Sequence, residues 1–347
     1  MADDVTTRWT GTGAGAAIPP DNSGTAGRAS ARSAVPASGG RQRGVTKDWR
    51  KRLEIAFFLA PALVLFALFV IVPVIQAGRY SVFNWNGLGP MDNFIGLKNY
   101  GRALQDSVFT DAVIHNFIIV ALSIIIQLPL GLGIALLLNR EMWGRTFLRV
   151  VIFVPYVLAE VVAGVVWLLM LQPNGPMDEL MKAVGLGDLV QLWLGDPDKA
   201  LYTVMGVLTW KYLGLAVIIL LAGLQGVPPE LYEAAQIDGA SWWQVQRRIT
   251  FPLLGPTIRT WAFLSMIGSL QVFDMIWILT KGGPANATMT MATYMIHQGT
   301  NRSLYGYASA VAILLFLISL VFAGVYMKFI LNRDPTEAPV KKKRAKR

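Results

Sequence analysis

The sequence predicts an all-α polytopic membrane protein with six transmembrane helices. Three observations carry this. Of the 347 residues, 54% are apolar and only 15% are charged, against about 25% charged in a soluble domain. The apolar residues are clumped into blocks of roughly 20 or more, each able to cross a ~30 Å hydrocarbon layer at about 1.5 Å per residue. Lys and Arg gather in every second connection, which is how a multi-pass chain records its orientation. Other classes are excluded on the same grounds. No stretch between the blocks is long enough to fold alone as a catalytic domain, and the strands of an outer-membrane barrel would be ~10-residue alternating segments. With no cysteine, there is no disulfide framework, thiolate zinc site or thiol nucleophile. Only His115 and His297 supply imidazoles, so no metal cluster is expected.

In chain order, residues 1–52 form a basic tail. Up to about residue 46 it is rich in Gly, Ala, Ser, Thr and Pro. Such a segment buries too little apolar surface to offset its ordering entropy and reads as disordered. The block after it lacks the short core and cleavage site of a signal peptide, so it is expected to stay in the membrane. A six-span domain follows over 53–331. Its spans cover about 55–75, 113–138, 147–171, 201–224, 257–279 and 305–331. Pro61, Pro73, Pro129 and Pro155 are compatible with these helices, because neighbours can re-satisfy the backbone. Residues 172–200 read as one or two short amphipathic helices broken at Gly185 and Gly187. Residues 332–347 form a second basic tail, whose run from Lys341 to Arg347 attracts anionic lipid rather than nucleic acid.

Placing the N-terminus in the cytoplasm puts 23 of the 31 Lys and Arg residues on that side, among them Arg140, Arg145, Arg149, Arg247, Arg248 and Arg259. The opposite side keeps Arg79, Lys98, Arg102, Lys182, Lys199, Lys281 and Arg302. Both termini are therefore expected in the cytoplasm of a plasma-membrane protein.

The connection at 225–256 carries most information. Pro228-Pro229 can open a helix. Glu230 and Glu233 then sit near the positive end of its dipole, and Leu231, Ala234, Ala235 and Ile237 form a small apolar face. Gly239 is a natural stop after Asp238. Ser241 followed by Gln244 makes a capping box for a second helix, expected to run to about Thr250 and stop before Pro252. Two readings remain open here: a loop packed beneath its own bundle, or a docking element for a cytoplasmic partner.

Glu233-Ala234-Ala235, Gly239, and Ile249-x-Phe251-Pro252 at their spacings resemble the EAA motif of the membrane subunits of binding-protein-dependent ABC importers. Phe251 departs from the usual Leu. Gly96-Leu97-Lys98-Asn99-Tyr100, Ala222-Gly223-Leu224-Gln225 and Thr280-Lys281-Gly282-Gly283-Pro284 are similar to stretches of the sugar-permease branch, of the maltose and glycerol-phosphate type. The resemblance covers about 55–331. It implies a type I importer transmembrane architecture, with 225–256 as the coupling loop seated on an ATPase. Implied partners are a second homologous permease subunit in a heterodimer, two ATPase subunits that bind ATP and Mg, and an external solute-binding protein. This chain lacks a Gly-x-x-x-x-Gly-Lys-Ser/Thr phosphate loop, so no cofactor and no catalytic residue are expected in it.

Ionisable groups inside spans are costly and point to function or pairing. Glu160 and Lys211 both fall near mid-membrane, either as a buried pair or beside the solute route. Asp274 lies nearer the outer end of span five, where it could meet solute or cap the turn at Gly282-Gly283. Tyr156, Trp210 and Trp277 are candidate stacking surfaces for a sugar ring, against the alternative that they anchor helices. The expected cargo is a carbohydrate. Alternatives are an importer for a phosphorylated polyol or other small solute, and an ion-gradient transporter, which leaves the EAA spacing unexplained.

Overall fold

The computed structural model describes residues 49–331, so the segment 1–46 and the terminal basic tail lie outside the described residues. The chain divides into two units, residues 1–59 and 60–347. In the first, α1 (Trp49–Phe66) begins, and Phe57 meets Phe58 edge-on with ring centres 5.8 Å apart.

The second unit continues α1 through α2 (Val72–Ser81), α3 (Lys98–Gln105), α4 (Ser107–Leu122) and α5 (Leu128–Leu138). Next come α6 (Arg145–Val157), α7 (Glu160–Met170), α8 (Pro176–Ala183) and α9 (Pro197–Gln225). Then follow α10 (Pro229–Ile237), α11 (Trp242–Val245), α12 (Phe251–Leu270), α13 (Asp274–Leu279), α14 (Met291–Ile296) and α15 (Tyr305–Tyr326). The expected breaks in 172–200 are present: α8 ends before Gly185 and a single 3₁₀ turn follows at Gly187–Leu189.

α9 is the axis of this unit. Its buried residues run nearly its whole length, from Ala200 through Val204, Leu208, Val217 and Leu220 to Leu224. It packs on α5, α6 and α12. Small residues permit the close approach expected between membrane helices. A methyl at Gly131 would meet the Ala216 Cβ at 2.9 Å, and one at Gly214 would meet the Ile152 carbonyl at 2.6 Å. A second layer sets α7 on α13, with Gly164 against Ile278. A third sets α15 on α2, α3 and α14. Beside it, Tyr294 donates to Asp106 at 2.7 Å and lies 3.1 Å from the Tyr307 hydroxyl. Burial first, then those hydrogen bonds, raise the Tyr294 hydroxyl's pKa, so it stays a donor.

Two of the expected spans differ from the structure. Among the described residues, four helices are long and apolar enough to cross a membrane: Leu53–Ser81, Ser107–Leu138, Pro197–Gln225 and Tyr305–Ile330. Span three, expected unbroken over 147–171, is instead α6 and α7, bent by 99° at Leu158-Ala159. Counting that pair as one span gives five. Span five, expected over 257–279, ends as a helix at Leu270 and resumes at Asp274. Pro252 does not end a helix either. Helix α11 does not stop before it but continues through a wide turn, Gln246–Thr250, into α12.

The reason is local. A proline inside a helix donates no hydrogen bond, and its ring presses on the carbonyl four residues back. In the turn before Pro252, Phe251 N–H bonds Gln246 O, five residues back. Val72 does the same to Ala67 before Pro73, and Leu128 to Ser123 before Pro129. Each wide turn adds a residue where the proline would otherwise break the ladder.

Candidate functional site

Both interrupted helices turn at mid-chain corners, and a buried side chain from a neighbouring helix holds each corner. The end of α6 exposes carbonyls that no later turn can satisfy. Lys211 of α9, whose side chain is only 1% exposed, fills that gap. Its Nζ donates to Pro155 O at 3.0 Å, to Tyr156 O at 3.1 Å and to Leu158 O. Glu160 opens the next helix, with Oε1 3.8 Å from the Lys211 ammonium. Tyr212 donates to the same Oε1 at 2.9 Å, while Oε2 is buried with no hydrogen-bond partner among the described residues.

The second corner repeats the arrangement with a neutral group. Asn116 of α4 is fully buried. Its amide donates to Ser269 O at 2.9 Å and Leu270 O at 3.1 Å, and its oxygen accepts from Met291 N–H at 2.9 Å. Asp274 opens the following helix. A carboxylate thus stands at the start of each of two half-helices, α7 and α13, that pack on each other.

A cavity of about 250 Å³ lies against the second corner. Its polar wall is Ser123, Gln127, Thr209, Tyr212, Ser265, Ser269, Gln271 and Asp274, with Trp261 and Phe273 among the apolar lining. The wide turn Ser123–Gln127 presents two of these groups, and Ser123 donates to Gln127 at 2.7 Å.

Of the sequence-derived route candidates, the structure brings Glu160, Lys211 and Tyr156 to one corner and Asp274 to the other. Tyr156 contributes its carbonyl, and its ring lies 6.4 Å from that of Tyr212. Trp277 stacks on Phe273 at 5.5 Å. Trp210 packs edge-on to Trp167 at 5.4 Å in an apolar cluster and does not line the cavity. Asp274 does not cap the Gly282-Gly283 turn. Thr280 and Thr288 do so, 2.6 Å apart, with Thr288 donating to Gly283 O at 2.7 Å. Sequence reasoning missed Asn116, Ser123 and Gln127. Their roles depend on residues far away in the chain, and an Asn at 116 inside an apolar helix was the one visible sign.

The loop forms as its residues dictate. α10 closes on a Schellman motif: Gly239 N–H bonds Gln236 O at 3.0 Å and Ala240 N–H bonds Ala235 O at 2.9 Å. Gly239 has φ +70°, the left-handed region that glycine enters freely. The Ser241–Gln244 capping box is present. Tyr232 reaches Thr250 at 3.3 Å, tying α10 to the wide turn. Ala235 is buried, but Glu233, Ala234, Asp238 and Gly239 are exposed and Ile237 is 87% exposed. Ile249 is half-buried and Pro252 is exposed on the continuing helix.

Residues 127–333 match the family described as the binding-protein-dependent transport system inner membrane component. The diacetylchitobiose uptake system permease protein of Streptomyces coelicolor is 31% identical over 321 residues, covering 89% of this chain and 90% of its own. The trehalose/maltose transport system permease protein of Thermococcus litoralis is 34% identical over 271 residues, covering 78% and 91%. The fold is similar to the crystal structure of a bacterial ABC transporter involved in the import of the acidic polysaccharide alginate, with TM-score 0.73, 24% identity and coverage of 83% and 98%. With well over half its length matched by the family and by such relatives, this chain belongs to the binding-protein-dependent inner membrane components, as an ABC transporter permease whose relatives are of the sugar type.

Proposed function

We propose that this chain is one six-span half of the membrane channel of an ATP-driven importer for a sugar or oligosaccharide. Its termini lie in the cytoplasm of the plasma membrane, and it pairs with a second, homologous permease. α10 and the Gly239 corner seat on an ATPase subunit, one of two that bind ATP and Mg. An external binding protein delivers solute to a route that includes the Asp274 cavity and the Glu160–Lys211–Tyr212 corner. ATP-driven closure of the ATPases rocks the bundle between inward-open and outward-open states.

The observation that carries the reading is the loop tip. A self-packing loop would bury Ala234 and Ile237, yet both are exposed beside a corner fixed by five backbone and capping hydrogen bonds. A rigid corner with an uncovered small apolar face is built to fit a groove in another protein. The relatives' names supply the carbohydrate cargo. Phosphorylated polyol import draws no support from Lys211, whose three donors are all used by backbone carbonyls.

The test is mild-detergent purification of the tagged chain beside Gly239→Pro and Glu233→Lys. Wild type brings a phosphate-loop ATPase and a second permease, and both variants lose the ATPase while keeping the permease. A well-folded wild-type chain recovered alone, or bound only to itself, overturns the proposal.

A further inference from the structure

We infer that the part of the route built by this chain is set against anionic solutes and takes a neutral or cationic, hydroxyl-rich one, with Asp274 making the distinction. This rests on the route reading above and adds the charge class of the cargo.

Charge at the cavity is of one sign. Among the described residues, Asp274 is the one charged residue lining it. It is exposed and forms no hydrogen bond or ion pair with any described residue. A second carboxylate stands behind the wall, because Glu160 accepts from Tyr212, which lines the cavity. The cation beside Glu160 cannot answer them. Lys211 is 1% exposed, lies off the cavity wall, and spends its three N–H groups on Pro155 O, Tyr156 O and Leu158 O.

Helix ends could have supplied positive potential instead, since the start of a helix attracts anions. Here each of the two half-helix starts already holds its own carboxylate, Glu160 on α7 and Asp274 on α13. An arriving carboxylate, sulfonate or phosphate therefore meets like charge and no free donor of opposite sign. Rejection built from repulsion is a standard source of specificity. A neutral sugar meets the reverse: Ser, Thr and Gln groups for its hydroxyls, and a carboxylate that accepts from them in charge-assisted bonds. An amino sugar gains the attraction of Asp274 besides.

The experiment uses the complete importer, with both permeases and the ATPases, in detergent. Binding is read by saturation-transfer NMR, which registers weak ligands and needs no binding protein. The probes are three forms of one disaccharide differing in charge: N-acetylated, free-amine and uronate. Wild type binds the first two, with the uronate weaker by about tenfold or more. Asp274→Asn, near-isosteric at an exposed position, weakens the free-amine form and brings the uronate to within about threefold of the neutral one. Asp274→Glu keeps the wild-type order. The subunit composition and the melting profile of each variant confirm an intact assembly. A uronate that binds wild type as well as the neutral form overturns the inference, as does an order unchanged in Asp274→Asn. Binding of none of the three to an importer that hydrolyses ATP overturns the carbohydrate-route reading beneath it.

Discussion

Lys211 shows how one residue can be legible and its role hidden. A lysine in the middle of an apolar stretch is visible in the sequence, and so is a glutamate at 160. What the sequence suggests is a pair. What the structure shows is a helix cap, with three carbonyls closer to the ammonium than the carboxylate at 3.8 Å. Those carbonyls lie 53 to 56 residues away and carry no side-chain signature. The cap makes a definite prediction. Lys211→Met leaves the carbonyls without a donor and Glu160 without its cation, at a cost of about 3–5 kcal/mol, read as a lowered melting temperature in detergent. Exchanging the charges, Glu160→Lys with Lys211→Glu, gives no rescue over either single reversal, because a carboxylate at 211 would face carbonyl oxygens. Recovery of expression and uptake in the exchanged protein would show that the pair, not the cap, dominates.

At the scale of elements, the loop was readable and the corners were not. Pro228-Pro229, Gly239 and Ser241–Gln244 act on neighbours a few residues away, so their consequences could be derived directly, and they formed as derived. The reading failed at Pro252, where a wide turn lets the helix run on. It also failed at Leu158 and Leu270, where the chain stops being helical because a distant side chain accepts the cost. Asn116 sits 154 residues from the carbonyl it binds at the second corner. Asn116→Ala strands Ser269 O, Leu270 O and Met291 N–H, at about 1–3 kcal/mol for each group left unsatisfied. The expected outcome is faster amide exchange at 270–274 and 290–292 with the loop at 229–245 unchanged. Uniform protection across both segments would sink this account.

For the whole molecule, the charge asymmetry of the sequence predicts an orientation and six spans, while among the described residues length and apolarity mark four or five. The chain offers a clean test because it has no cysteine of its own. Single substitutions at Trp143, Leu189, Ile237 and Asn301 all place a thiol at exposed positions. With six spans, a membrane-impermeant maleimide labels positions 189 and 301 in intact cells, and 143 and 237 only after permeabilisation. Labelling of 143 and 189 from one side would make α6 and α7 a re-entrant pair. The same result for 237 and 301 would remove span five.

The wide turn at Gln246–Thr250 sets one further relation. The helix is unbroken from Trp242 to Leu270, so the loop tip and the cavity wall share a single shaft. One residue of such a shaft is about 100° of rotation. The surplus residue before Pro252 therefore fixes the angular phase between the Gly239 corner at one end and Ser265 and Ser269 at the other. With that surplus removed, the same side chains would point to other neighbours, though composition and hydropathy hardly changed. A rotation of the helix at Trp242 would be a rotation of Ser265 and Ser269 about the same axis, and the wide turn before Pro252 keeps that axis continuous.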